Sequence, residues 1–348
     1  MLVVAKRNVM ARPLSQQMCV NVLKAMAEPT RLRVLALLAH GELNVKDLTR
    51  VLGQSQPRIS RHLKLLAEAG LVERAPEGSW VYFRLSEQQS ASQIANLVLG
   101  AVDADDPVLL RDRARAEALR AEREAAAQAY FQAHANEWDS IRALHVAEAS
   151  VEAAILAALG PEPLSFLIDL GTGTGRMLEL LAARYRRGLG IDRSPAMLAY
   201  ARAKLERAKL SHAQVRQGDI YDLPLGDAVA DAVVMHQVMH FLGDPAQAMR
   251  EAARMLMPTG RLLIVDFAPH ELEHLRDQFA HERLGFSGAQ VAQWLADCGL
   301  ELVQRRDLAP AHDTQVAKLT VSIWLARRPQ AVAAVIDDRG RRNLEQVN

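Results

Sequence analysis

Three glycines, Gly171, Gly173 and Gly175, follow directly on the apolar run Phe166-Leu-Ile-Asp-Leu170, with Thr172 and Thr174 between them. A strand that runs into such a loop lets a ligand approach the backbone beside a helix N-terminus, where unused N–H groups and the helix dipole receive polar groups. The spacing is not the dinucleotide fingerprint, whose third glycine would stand at 176, a position held by Arg176. Asp169, two residues before the first glycine, suits a ligand that carries an ammonium group. Asp192 closes Gly188-Leu-Gly-Ile-Asp192, about 20 residues on, where a carboxylate can accept from both hydroxyls of a ribose. Asp219, in Gly218-Asp-Ile220, can accept from an exocyclic adenine amine, with Ile220 and Met197 offering apolar contact to a ring. Each acid has an ordinary alternative as a helix cap or an arginine partner, and their recurrence at successive strand ends weighs against it. His236 and His240 flank the end of another apolar run, where either can act as a base, orient a substrate or simply line a pocket.

A second set lies near the start of the chain. Gln56, Arg58, Ser60, Arg61 and Lys64 stand around an apolar stripe of Ile59, Leu63 and Leu66, with Ser55 as N-cap and Pro57 in the first turn. A helix with long donors near its N-terminus and one apolar face can read a DNA major groove. Gln56 would pair with adenine, Arg58 or Arg61 with guanine, and Lys64, Arg74 and Arg84 would hold phosphates. The plainer alternative is a protein-docking surface with a solvated cationic face. A third motif, His270-Glu-Leu-Glu-His274, satisfies the H-E-x-x-H zinc pattern with His281 as a conceivable third ligand. It directly follows a strand and Pro269, and the spacing to His281 lacks the usual glycine, so no metal site is expected.

The elements that must position these groups are legible in outline. Apolar residues at helical spacing give two helices over 16–39, a third over 45–52 and a fourth from Ser55. Two strands, 71–74 and 80–85, follow around a turn at Pro76-Glu77-Gly78, which completes the plan of a winged helix-turn-helix. Residues 103–124 are rich in Arg, Glu and Ala and read as a solvated connecting helix. From 166 to 328, strands at 166–170, 187–192, 214–218, 230–235 and 261–266 alternate with amphipathic segments, which predicts an α/β, Rossmann-like doubly wound sheet, closed by strands at 301–306 and 318–326. The expected division is a flexible start over 1–15, a winged helix over 16–95, a helical linker over 96–125, the α/β domain over 126–328 and a disordered tail over 329–348.

Charge supports two parts with different partners. The 348 residues carry a net charge of +1, but residues 1–95 hold 13 Lys and Arg against 7 Asp and Glu, while the rest hold 29 against 34. A basic head on an acidic body points to a polyanion partner for the head alone. Two cysteines far apart, Cys19 and Cys298, argue against a disulfide scaffold or a thiolate metal site. The apolar opening is cut at Lys6 and Arg7, too short for a signal peptide, and no later apolar run approaches membrane-spanning length, so a soluble, cytoplasmic protein is expected.

Two resemblances follow. Residues 20–95, with Ala27-Glu-Pro-Thr-Arg-Leu-Arg-Val-Leu35, Gly41-Glu-Leu-Asn-Val-Lys-Asp-Leu48, Ser55-Gln-Pro-Arg-Ile-Ser-Arg-His-Leu63 and Trp80-Val-Tyr-Phe-Arg-Leu85, resemble the ArsR/SmtB family of dimeric winged-helix repressors. The family's metal-sensing members carry a Cys-Val-Cys box where this chain has Asn44-Val-Lys46, which argues against metal sensing there. Residues from about 125 to 328 resemble class I S-adenosylmethionine-dependent methyltransferases, including Leu256-Met-Pro-Thr-Gly-Arg-Leu-Leu-Ile-Val-Asp266 as the loop before the fifth strand. That resemblance implies S-adenosylmethionine or S-adenosylhomocysteine contacts from Asp169, Gly171, Thr172, Gly173, Gly175, Asp192, Arg193, Met197, Asp219, Ile220 and His236. It also implies a lid segment with Tyr130, Phe131 and Trp138. Together they imply a homodimeric regulator of a roughly palindromic DNA operator whose second domain methylates a small molecule or senses its cofactor. The alternative is a methyltransferase whose winged helix serves dimerisation or docking. Arsenite as acceptor is disfavoured, because its thiol-coordinated chemistry needs clustered cysteines.

Overall fold

The computed structural model describes residues 14–77, 80–86, 90–135, 148–309 and 319–330. By its internal contacts the chain forms two units. The first holds the residues up to Tyr130 together with Phe241–Asp244 and Pro269–Leu284; the second holds Phe131–His240, Pro245–Ala268 and everything from Gly285 on.

Local signals start the helices of the first unit. The Ser15 hydroxyl accepts from Met18 N–H and opens α1 (Gln16–Met26); Glu28 accepts from Arg31 N–H and, with Pro29 in the first position, opens α2 (Pro29–Leu38). A two-residue strand, β1 (Leu43–Asn44), ends on Asn44, which shares a reciprocal capping box with Asp47 at the start of α3 (Val45–Leu52). Helix α4 (Gln56–Glu68) starts behind Ser55, whose backbone has N-cap geometry but whose side chain makes no cap hydrogen bond. The hairpin β2 (Val72–Glu77) and β3 (Trp80–Leu85) follows, then α5 (Ser90–Ala101) and α6 (Pro107–His134). Strand β3 lies between β1 and β2, antiparallel to both. Val34, Leu35, Leu48, Ile59, Leu63 and Leu66 fill the core, each worth about 1.5–3 kcal/mol of burial.

Two expectations need correction. Strand β2 runs on through Pro76 and Glu77, which pair with Val81 and Trp80, because β2 is an edge strand and an edge tolerates the missing proline N–H. The helix expected as a solvated connector instead buries Ala116 and Leu119 in the first unit's core. Asp112 on the same helix is 1% exposed and takes both Nε and Nη2 of Arg33, at 2.6 and 2.8 Å. Asp112, Ala116, Leu119 and Arg123 recur at helical spacing as a stripe too narrow and too polar to register as hydrophobic.

The second unit runs α7 (Glu148–Leu159), β4 (Leu164–Leu170), α8 (Arg176–Leu180), β5 (Tyr185–Asp192), α9 (Pro195–Arg207), β6 (Ala213–Gln217), β7 (Ala230–His236), α10 (Pro245–Met255) and β8 (Leu256–Phe267). The first unit's segment with the short α11 (His274–Phe279) intervenes before α12 (Gly288–Asp297), β9 (Glu301–Leu308) and β10 (Val321–Arg327). The seven strands lie in the order β6-β5-β4-β7-β8-β10-β9, and β10 alone runs against the others. Strands β4 and β7 are almost wholly buried apolar runs, as central parallel strands must be. The order reverses beside β4, which puts a ligand crevice at the carboxyl ends of β4 and β7. The segment expected as a loop before the fifth strand is a bulge inside β8, where the register to β7 shifts between Ala230 and Ala232. Strand β9 ends the sheet and is exposed along almost its whole length.

Candidate cofactor site and candidate nucleic-acid interface

The glycine loop is built by backbone geometry. Gly171, Gly173 and Gly175 all have positive φ, at 72°, 51° and 81°. A Cβ on Gly171 would lie 2.3 Å from Val238 Cγ2, so only glycine fits between β4 and the segment after β7. The Gly171 and Thr172 amides donate to the Ile191 carbonyl, and Gly173 N–H donates to Asp192 Oδ2 at 2.8 Å. Ser194 N–H donates to Asp192 Oδ1, also at 2.8 Å. Burial pushes the Asp192 carboxyl above its ordinary range, against the pull of the Ser194, Gly173 and Arg193 amides. Asp169 is 1% exposed, and its Oδ2 accepts from the Thr172 hydroxyl at 2.6 Å.

The strand ends therefore bring Asp169, Thr172 and Asp192 to one loop. Asp219 follows β6, accepts from Tyr221 N–H at 3.0 Å and stands 3.9 Å from the exposed Arg193. Met197 is buried in the first turn of α9, while Ile220 is partly exposed. A carboxylate has about four acceptor sites, so Asp192 retains capacity for ribose hydroxyls beyond its bonds to the loop. This donor and acceptor set fits an amino-acid-bearing nucleoside. Arg176, where a dinucleotide site would want glycine, is bound by Glu152 and Glu179 and secures the start of α8.

His236 ends β7 and is partly exposed, whereas His240 is 2% exposed. His240 Nδ1 lies 2.8 Å from Asp266 Oδ1, and Asp266 Oδ2 accepts from the Met239 and His240 amides at 3.0 and 3.3 Å. Sequence reasoning passed over Asp266, although an acid closing the apolar run 262–265 carries the same strand-end signal as Asp169 and Asp192. Tyr130 falls in the first unit, its ring edge-on to Phe279 at 6.4 Å, and burial raises its pKa. Trp138 lies outside the described residues. His270 precedes the helix that begins at His274, and its Nδ1 accepts from Leu272 N–H, so the two histidines do not share a helix face as a zinc motif requires.

The first unit presents α4 as the sequence pattern requires. Ile59, Leu63 and Leu66 are buried, while Ser55, Gln56, Arg58, Ser60, Arg61 and Lys64 are all exposed. Arg58 and Arg61 take no ion-pair partner among the described residues, and Lys64 stands 3.8 Å from Glu68. The hairpin arginines differ: Arg74 is exposed, but Arg84 donates through Nε and Nη2 to Glu73 Oε2 at 3.1 and 2.8 Å. Asn44, at the first position of the segment where a thiol box would stand, closes a capping box with Asp47, and Asp47 also binds Arg123.

Residues 28–74 match the family model of bacterial regulatory proteins of the arsR family, and residues 168–264 match that of a methyltransferase domain. The chain is 42% identical over 95 residues to the arsenic resistance transcriptional regulator ArsR1 of Pseudomonas putida, which covers 27% of this chain and 73% of the relative. It is 35% identical over 167 residues to an uncharacterized 37.1 kDa protein in a transposon of Streptomyces fradiae, covering 43% of this chain and 47% of that one. It is 31% identical over 141 residues to a Mycolicibacterium smegmatis protein named a probable S-adenosylmethionine-dependent methyltransferase, covering 39% and 52%. The chain thus spans about half the length of the last two relatives.

Proposed function

Because the chain belongs to the ArsR family of bacterial regulatory proteins and also carries a methyltransferase domain, we propose that it is a DNA-binding transcriptional regulator with a working S-adenosylmethionine site. The observation that carries this reading is the pairing, in one chain, of an exposed cationic α4 with a glycine loop tied to Asp192. Gln56, Arg58 and Arg61 read base edges, and Ser55, Ser60, Lys64 and Arg74 hold the phosphate backbone. A reading in which the winged helix only docks a protein is disfavoured, since the Pseudomonas relative is named as a transcriptional regulator.

Dimerisation has its own support. Met18 and Leu23 on α1 are 54% and 47% exposed, and Leu97 on α5, which packs beside α1, is 75% exposed. A second copy covering these apolar side chains gives the two-fold reader that a palindromic operator needs. No helix among the described residues is long and apolar enough to cross a membrane, and a cytoplasmic site of action suits a regulator.

In the second unit, Asp192 and Asp219 hold the nucleoside and Asp169 with Thr172 faces the amino-acid part. S-adenosylmethionine supplies an activated methyl group when bound. The chain's own contribution is to place an acceptor: His240, held by Asp266 through Nδ1, is fixed in one tautomer and one orientation, while His236 is the more accessible base. The acceptor is a small molecule. Catalysis and cofactor sensing both use this site, and turnover separates them.

The test is fluorescence anisotropy with a duplex from immediately upstream of the chain's own coding sequence, against a random duplex, at two salt concentrations, beside calorimetry with S-adenosylmethionine and S-adenosylhomocysteine. A salt-sensitive preference for the upstream duplex and a binding heat with either ligand are expected. Equal affinity for both duplexes sinks the regulator reading, and the absence of heat sinks the cofactor reading.

A further inference from the structure

The chain of the second unit leaves it twice for the first, at Phe241–Asp244 and at Pro269–Leu284. Both departures begin at the carboxyl ends of neighbouring strands, β7 and β8, and the residues at the two exits are locked to one another. His240, the last residue before the first departure, is clasped by Asp266, which is fully buried and lies two residues before the last residue ahead of the second. Asp266 Oδ1 also accepts from Phe267 N–H, and the His240 ring lies 4.9 Å from that of Phe267.

The second departure has a closed neck. Phe286 N–H donates to the Phe267 carbonyl at 2.9 Å. Gly285 has φ 87°, and a Cβ there would lie 2.2 Å from the Ala268 carbonyl oxygen, so the two legs touch where only glycine fits. Joined ends make the segment a compact loop, of the kind that is frequently functional.

Close to that neck, beginning two residues before Gly285, buried charge holds the segment in place. Arg283, 1% exposed, donates to Glu42 Oε2 at 2.8 Å and to the Gly243 carbonyl at 3.1 Å, with its guanidinium 3.8 Å from the Tyr82 ring centroid. The same arginine therefore holds both departing segments. Glu282 takes Arg123 at 2.8 Å, and Arg123 binds Asp47 on α3, while Arg276 lies 4.0 Å over the Trp80 ring. Tyr82 and Trp80 belong to the hairpin, and α3 immediately precedes α4. Charges this deeply placed have defined geometry, because an unpaired one is costly.

We propose that these two segments are a transmission element: a ligand that reorders the carboxyl ends of β7 and β8 changes DNA affinity through Phe241–Asp244 and Pro269–Leu284, with Arg283 as the residue that gathers them. This rests on the cofactor reading above and names the parts through which such a site would regulate the DNA face. Two sites that bias one element are coupled reciprocally, so DNA must alter ligand affinity by the same factor.

The test uses the full chain, S-adenosylmethionine and S-adenosylhomocysteine as probes, and the upstream duplex. In the natural protein, saturating one of the two ligands is expected to change duplex affinity about fivefold or more, within the usual range of coupling. The double variant R283M/E42M replaces the buried pair with apolar side chains rather than stranding one charge. It is expected to keep ligand affinity within about twofold while the ligand's effect on duplex affinity falls below about twofold. As a measurement independent of that variant, ligand is expected to alter amide exchange in Pro269–Leu284 and β3 of the natural protein. Ligand heat without any change in duplex affinity overturns the proposal alone, as does coupling retained in a folded double variant. Should that variant not fold, unchanged exchange in both segments overturns it. No ligand heat at all overturns the cofactor reading and the proposal with it.

Discussion

The cationic face of α4 and the carboxylates at the strand ends handle charge in opposite ways. On α4, Arg58 and Arg61 project into solvent while Ile59, Leu63 and Leu66 are buried. At the glycine loop, Asp192 is already bonded to two backbone amides, and Asp169 to Thr172. The difference follows from the ligands: a duplex is long, rigid and uniformly charged, so the protein needs reach and loses little by leaving cations hydrated. A small cofactor must find its acceptors at fixed positions, so the loop backbone holds them beforehand.

The sharpest way to break this comparison is to remove a pre-bonded acid. Asp192→Ala strands the Gly173 and Ser194 amides, and calorimetry should show a loss of cofactor affinity of about 100-fold, with about 1–3 kcal/mol of stability lost in denaturant melts. DNA affinity in the absence of cofactor should stay within about twofold. An unchanged cofactor affinity would show that the acid only supports the loop. On the other side, Arg61→Ala should cost about 1–3 kcal/mol against the upstream duplex in anisotropy titrations and shrink its preference over random DNA, with a melt within about 0.5 kcal/mol of the natural protein. A destabilised R61A protein would mean that the helix face is structural.

Acidity gives a smaller effect with a definite sign. The Asp192 carboxyl is raised above its unfolded value, mainly by burial, so its contribution to the stability of the free protein is fully present below the unfolded pKa and is lost as pH rises through the folded one. Cofactor affinity runs the other way, because the protonated acid surrenders acceptor capacity. It should weaken as pH is lowered, beginning above the ordinary aspartate value. Calorimetry over that range, with pH-dependent melts of the free protein, checks both slopes, and parallel slopes would exclude Asp192 as the group responsible. The smallest effect belongs to Arg84, which Glu73 already holds. Arg84→Ala should change duplex affinity less than about twofold, and Glu73→Ala should raise it slightly by freeing the guanidinium. A tenfold loss in R84A would show that DNA displaces Glu73.

The glycine loop, its acids and the α4 stripe were legible because each is a local pattern: a strand that ends in small residues, a carboxylate at the same end of the next strand, cations around an apolar face. The wider organisation was not. Arg283 meets Glu42 from 241 positions away and Arg123 meets Glu282 from 159, and neither pair leaves a mark in its own neighbourhood. The helix carrying Asp112 and Arg123 looked like a solvated connector because its inward face uses alanine, leucine and paired charge in place of bulky apolar residues. Asp266 shares the strand-end pattern of Asp169 and Asp192, but its partner His240 lies 26 positions away, so nothing local marked its role.

The sheet's last strand carries one more consequence. Strand β9 turns a row of backbone groups toward solvent and exposes Leu302 and Val303, the kind of edge on which a second chain can add a strand. Glu301, Arg305, Arg306 and Asp307 stand along it, with Arg305 and Asp307 paired on the surface. Charged side chains on an edge strand disfavour its pairing with a second chain. Substituting alanine for both Arg305 and Arg306 would thus alter neither ligand site yet leave the protein more prone to aggregate.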